Sequence, residues 1–124
     1  MNQEDVRVLV VDDDEAINES LRGLLETYGY NVRTVQSGEA ALQDAENIRP
    51  TCVIVDLDLP GGIDGVQLIA RLRALYAHDM VIIVLTGLSG TSHGHAGAEQ
   101  AGADYVFAKP IDVDKLRRIM PPVV

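Results

Sequence analysis

The chain has 124 residues, enough for one domain and no second folded unit, and its 47% apolar content with 4% aromatics and no Trp requires a core of Val, Ile, Leu and Ala. A formal net charge of −9 argues against direct binding to a nucleic-acid backbone and against docking on an anionic membrane. The single cysteine, Cys52, allows no internal disulfide; the acidic start Met1-Asn2-Gln3-Glu4-Asp5 lacks the features of a signal peptide; and the apolar run from Met80 to Leu85 is far too short to span a membrane, so a cytoplasmic location is expected.

In chain order, Val6 to Val11 is β-branched and almost continuously apolar, as a strand covered on both faces would be. Ile17, Leu21, Leu24, Leu25 and Tyr28 follow helical spacing, and Gly29 supplies a C-terminal stop. Asn31 to Val35 predicts a second strand, and Ser37 caps a helix through Ala40, Ala41, Leu42 and Ala45 that stops before Pro50. Cys52 to Leu57 is a third strand, followed by the turn signal Pro60-Gly61-Gly62. Asp64 caps a longer helix through Val66, Leu68, Ile69, Leu72 and Leu75. Met80 to Leu85 is the fourth strand and Ala103 to Ala108 the fifth; Asp112 caps a final short helix through Leu116 and Ile119, stopped by Pro121-Pro122. Between the last two strands lie Gly87, Gly90, Gly94, Gly97 and Gly102. A glycine inside a helix costs roughly 1 kcal/mol relative to Ala, so the fourth helix is expected to be short, frayed or shifted toward Ala96 to Ala101.

Five strands alternating with helices predict an α/β fold, a parallel sheet with helices on both faces and right-handed crossovers. Ligands of such sheets bind beyond the carboxyl ends of the strands, which here carry Asp12 and Asp13, then Asp56, Thr86 and Lys109. Three carboxylates converging at one end raise one another's pKa or demand a cation, and a hard dication with oxygen ligands, Mg2+ or Mn2+ in its place, answers that demand. Lys109 brings a compact positive charge, Thr86 a hydroxyl donor, and Gly87 leaves room for a phosphoryl group. These parts suit phosphoryl transfer to a carboxylate, with Asp56 as nucleophile.

The stretches Val8-Leu9-Val10-Val11-Asp12-Asp13-Asp14 and Val53-Ile54-Val55-Asp56-Leu57-Asp58-Leu59-Pro60, with Asp64-Gly65, Leu85-Thr86-Gly87, Gly102-Ala103-Asp104 and Lys109-Pro110, together resemble the receiver domain of two-component response regulators. The resemblance spans nearly the whole chain. It implies a flavodoxin-like doubly wound fold of strand order 2-1-3-4-5 over residues 1–124; the short final helix and Pro121-Pro122 could begin a linker or tail at 121–124. It implies that Asp56 accepts phosphate from a sensor histidine kinase or a histidine phosphotransfer protein, then loses it slowly by hydrolysis. Asp12 and Asp13 would belong to the metal site, with Asp13 the more direct ligand, and Asp58 would lend its backbone carbonyl. Thr86 and Lys109 would hold phosphoryl oxygens, Pro110 would follow through a cis peptide bond, and a homodimer could use the face of the fourth helix, fifth strand and fifth helix.

Three departures stand out. Val106 occupies the position, three before the lysine, where the family carries an aromatic, and strand alternation sends the flanking Tyr105 and Phe107 to the opposite face. The glycine-rich segment replaces an ordinary fourth helix, and Gly61-Gly62-Ile63 makes the loop beside the acceptor one residue longer.

Taken singly, other residues have plainer readings. Asp14 is a helix cap, Asp58 is a backbone contributor or loop residue rather than a catalytic acid, and Cys52 is a small core residue. His93 and His95 have no third ligand nearby and read as solvated loop, and His78 as a helix-end residue. Two other functions compete: a hydrolase, since Asp56-Leu57-Asp58 resembles the nucleophile and acid pair of haloacid-dehalogenase-like phosphatases, and a pseudo-receiver that never takes phosphate. The first expects its pair on the first strand, not the third; the intact acidic pair, acceptor, threonine and lysine oppose the second.

Overall fold

A computed structural model describes residues 6–87, 92–110 and 112–123, with the side chains of residues 92–95 outside the description. The chain start, part of the glycine-rich segment and the side chains of His93 and His95 therefore lie outside the described residues. The elements run β1 (Arg7–Val11), α1 (Glu15–Thr27), β2 (Asn31–Val35), α2 (Gly38–Ile48), β3 (Cys52–Asp56), α3 (Gly65–Tyr76), β4 (Val81–Thr86), α4 (Ser92–Ala101), β5 (Tyr105–Ala108) and α5 (Val113–Ile119). The five strands form one parallel sheet in the order β2-β1-β3-β4-β5.

Both faces of the sheet are covered, which explains the continuous apolarity of its central strands. Leu9, Val11, Val53, Val55, Ile82 and Val84 point to one face and pack against Ala41 and Ala45 of α2, Leu68, Ile69 and Leu72 of α3, and Ala98 of α4. Val8, Val10, Cys52, Ile54, Ile83 and Leu85 alternate to the other face, against Leu21 and Leu25 of α1 and Leu116 of α5. Each fully buried Leu or Ile contributes about 1.5–3 kcal/mol relative to exposure. Cys52 is wholly buried, and burial first, then the charge of Asp104, pushes its thiol up to about 12, so it is an inert core residue.

The caps match the expected ones. Asp14 accepts from the Ala16 and Ile17 amides, Ser37 from Ala40, and Asp112 from Asp114, while Asp64 and Gln67 form a reciprocal capping box. Gly29, at φ +96°, takes the left-handed turn that ends α1.

The apolar stripes are narrower than the sequence suggests. Ile17 is 38% exposed and Leu24 46% on α1, and Leu75 is 64% exposed on α3. Helical spacing marks the centre of a buried face but not its edges. The fourth helix begins earlier than the shift toward Ala96 would place it, at Ser92, and spans 10 residues. Burial of Ala98 against the sheet helps offset the intrinsic cost of its glycines.

β5 alternates as expected. Val106 packs on the α2–α4 side, whereas Phe107 packs on the α1–α5 side and stacks with Tyr105, their ring centroids 6.2 Å apart.

Candidate functional site

Parallel pairing brings the carboxyl ends of β1, β3, β4 and β5 to one edge of the sheet. Val11 lies beside Val55, Asp56 beside Leu85, and Thr86 beside Ala108. Asp12 therefore emerges next to Asp56, and Thr86 and Lys109 close the same end. The Lys109 amide donates to the Thr86 carbonyl at 2.7 Å, and the Lys109–Pro110 peptide is cis.

The side chains converge. Among the described residues, Asp12, Asp13 and Asp56 form a carboxylate cluster in which one oxygen from each lies within 4.8 Å of the others. Asp12 and Asp56 are buried, and Asp13 is exposed. Lys109 Nζ donates to Asp12 Oδ2 at 2.9 Å and to Asp56 Oδ2 at 3.2 Å. Each strand-end carboxylate also holds the backbone two residues on: Asp12 Oδ1 accepts from the Asp14 amide at 2.9 Å, and Asp56 Oδ1 from the Asp58 amide at 3.0 Å. These turns fix the outgoing chain and leave the second oxygen of each carboxylate to Lys109.

The electrostatics follow from this packing. Burial pushes the Asp56 carboxyl above the ordinary Asp value, and the charge of Asp12 adds to that rise; the Asp58 amide and Lys109 oppose it without cancelling it. For Lys109, burial alone would lower the ammonium, but its hydrogen bond to Asp12 and the charges of Asp56 and Asp12 outweigh burial and hold it above its usual value. The cluster thus carries more negative charge than one ammonium balances. Its donors are all hard oxygens, one of them on an exposed residue, and this set fits a hydrated hard dication.

Thr86 ends β4 as a buried residue, with Gly87 directly after it. Asp58 is exposed just past the acceptor strand. Gly65 has a clear steric reason: a Cβ there would lie 2.6 Å from Leu57 Cα and 2.8 Å from the Asp56 carbonyl oxygen. Only glycine lets α3 begin against the backbone of β3 at this point.

One supporting residue is not evident from motif reading. Asn18 is buried on α1; its Nδ2 donates to the Asp12 carbonyl at 2.9 Å and to the Val35 carbonyl at 3.2 Å. The Asp12 amide itself donates to Val35 O at 3.2 Å. Asn18 thereby clamps the acidic turn to β2, while its own Oδ1 is buried with no partner among the described residues. The available signal is a polar residue in line with the buried Leu21 and Leu25. Asn18→Ala, which takes the side-chain donor from the Asp12 carbonyl and one of two donors from Val35 O, is expected to cost about 2 kcal/mol of stability, measurable as a lower urea midpoint.

Comparisons with known proteins agree with this geometry. A family model described as the response regulator receiver domain matches residues 8–120. Curated relatives named response regulator MprA, from Mycobacterium sp. (strain KMS) and Mycolicibacterium vanbaalenii, are 41% and 40% identical over 111 residues. Each match covers 90% of this chain and 47% of the relative, so the chain spans about half the length of these relatives. Among solved structures, a CheY-like receiver domain protein from Methanospirillum hungatei JF-1 superposes with TM-score 0.86 at 31% identity, covering 94% of this chain and 91% of the other. A response regulator from Burkholderia pseudomallei, with a phosphorylated aspartic acid, calcium ion and citrate, superposes with TM-score 0.84 at 34% identity, covering 94% and 67%. The flavodoxin-like strand order, the carboxylates gathered at its end and a family match across nearly the whole chain converge: this protein belongs to the response regulator receiver domain family of two-component signalling.

Proposed function

We propose that this domain is a phosphoacceptor switch in which Asp56 takes a phosphoryl group from a phosphohistidine on a sensor kinase or phosphotransfer protein. The observation that carries the reading is the convergence of Asp12, Asp13, Asp56 and Lys109 at one strand end. An Asp56 oxygen attacks phosphorus, a P–O bond forms, the P–N bond breaks, and its electron pair returns to the imidazole. Asp12, Asp13, an Asp56 oxygen and the Asp58 carbonyl are the groups that would hold Mg2+, or Mn2+, which when bound supplies positive charge for the phosphoryl oxygens. Lys109, now shared between two carboxylates, turns to the phosphoryl group, and Thr86 donates its hydroxyl there. Later attack by water on phosphorus breaks the P–O bond, releases inorganic phosphate and restores the carboxylate. The phosphorylated aspartic acid and calcium ion of the Burkholderia neighbour support the same chemistry here. The domain acts in the cytoplasm, as a switch rather than a multiple-turnover enzyme.

Intact mass after incubation with Mg2+ and a small acyl phosphate tests this directly. One phosphoryl adduct is expected, lost on chelation of the metal. Steady turnover of an aryl phosphate would instead support the hydrolase, and an unlabelled protein would support the pseudo-receiver.

The phosphodonor has a surface to meet. A groove of about 440 Å³ lies between α1 and α5 and ends at Lys109 and Pro110; its walls include Ile17, Leu24, Leu85 and Val113. A donor helix seated there would bring its phosphohistidine to the acceptor end of the sheet. Ile17→Asp should slow transfer from a phosphohistidine protein by about tenfold while leaving labelling by acyl phosphate unchanged. Parallel time courses with the two donors measure this.

A further inference from the structure

The lengthened loop between β3 and α3 is held at both ends. At its base the Gly65 amide donates to the Leu57 carbonyl at 3.2 Å, and the Leu59 amide to the same oxygen at 3.1 Å. At its tip the Gly62 amide donates to Glu39 Oε2, in the first turn of α2, at 3.0 Å. Gly61 adopts φ +95°, and a Cβ on it would come within 3.3 Å of Glu39 Oε1. Ile63 drops from the tip into the core beside Ala41, and a Cβ on Gly38 would sit 2.9 Å from Ile63 Cγ2 and 3.0 Å from its carbonyl oxygen. The first turn of α2 thus offers a glycine seat for Ile63 and a carboxylate for the Gly62 amide. The extra residue is accommodated in a docked loop.

We propose that Glu39 is a positioning residue for the acceptor site: by holding Gly62 it fixes the loop that starts at Asp58, and so sets the site's affinity for its cation and the lifetime of the phosphoryl group on Asp56. The physical reason is entropic. Seven residues separate Leu57 from Gly65; the Asp58 amide is held by Asp56 and Ile63 is seated against Gly38, so loss of the Gly62 anchor would free the stretch between them and let the Asp58 carbonyl tilt away from the one direction it must present. Groups that orient metal ligands from outside the coordination shell commonly change affinity by tenfold or more. The proposal rests on the assignment of Asp56 and Asp58 given above.

Glu39→Ala and Glu39→Gln separate holding from charge. Glu39 is exposed, so neither substitution threatens the fold, and melting without metal should be nearly unchanged. Glutamine keeps an oxygen that accepts from Gly62 but removes the negative charge. Titration with Mg2+ by calorimetry should show binding weakened about tenfold in Glu39→Ala and within about twofold of wild type in Glu39→Gln. The phosphoryl half-life by intact mass should shift in the alanine variant and recover in the glutamine variant. Equal weakening of both variants would show that Glu39 acts through charge alone and would overturn the proposal, as would wild-type affinity in both. A wild-type protein that binds Mg2+ yet takes no phosphoryl group would instead refute the acceptor reading, and the titration would still judge the loop anchor.

Discussion

Asp56→Asn is expected to abolish the phosphoryl adduct and, in metal-free buffer, to make the domain more stable. The first effect is chemical: an amide is not a nucleophile for phosphorus at neutral pH, and the other cluster carboxylates do not stand in for it. The second follows from burial. The folded protein holds the Asp56 proton more tightly than the unfolded chain does, because burial and the charge of Asp12 raise its pKa. This contribution to stability is fully present below the unfolded Asp pKa and is lost as pH rises through the higher folded one. Above that folded value the ionised Asp56 therefore opposes folding, and an uncharged isostere relieves that opposition. The neighbouring Asp13 is exposed and Lys109 partly so, and water around them screens the effect, so the expected gain is about 1 kcal/mol, or roughly 4 °C in Tm. Thermal melts in chelator and in Mg2+ check it. The gap between wild type and variant should narrow or reverse when the cation supplies the missing positive charge. An Asp56→Asn protein no more stable than wild type in chelator would contradict this electrostatic account.

Lys109→Met should separate cation binding from phosphoryl transfer in opposite directions. Nζ bridges Asp12 and Asp56, and methionine keeps much of the stem while removing the charge. Two buried carboxylates then lose their cation, at an expected cost of about 2 kcal/mol without metal. The pKa of Asp56 rises further, so the variant should gain stability more steeply than wild type as pH falls from neutral through the folded Asp56 value. In wild type the Lys109 contribution persists far above neutrality, because its own raised pKa delays its loss to strongly alkaline pH. With the competing ammonium gone, Mg2+ should bind roughly tenfold tighter. Labelling by acyl phosphate should nevertheless slow by about a hundredfold, since the phosphoryl oxygens lose a preplaced donor. Calorimetric titration and mass-resolved time courses read the two effects independently. Tighter binding with unchanged labelling would remove Lys109 from the transfer step.

Much of this molecule is legible in its residues. Continuous apolar strands that end in Asp12, Asp56 and Thr86 point to a parallel sheet with its site at the carboxyl edge, because a strand buried on both faces must be apolar until it leaves the core. Caps at Asp14, Ser37, Asp64 and Asp112 are equally readable, since a cap acts on amides two or three residues away. These are local interactions, and local chemistry is written in local sequence.

The remainder depends on residues far apart in the chain. Asn18 reads as an ordinary polar residue until the fold places it under the carbonyls of Asp12 and Val35. Glu39 reads as a first-turn acid until Gly62, 23 residues later, reaches its carboxylate. Helical spacing alone puts Ile17 and Leu24 in the core; the packing of α1 and α5 leaves them lining an open groove. The glycines of α4 argue for a short, frayed or shifted helix, yet the helix runs from Ser92, with Ala98 buried against the sheet. In each case the outcome is set by which residues meet through space, and those meetings exist only once the sheet has assembled.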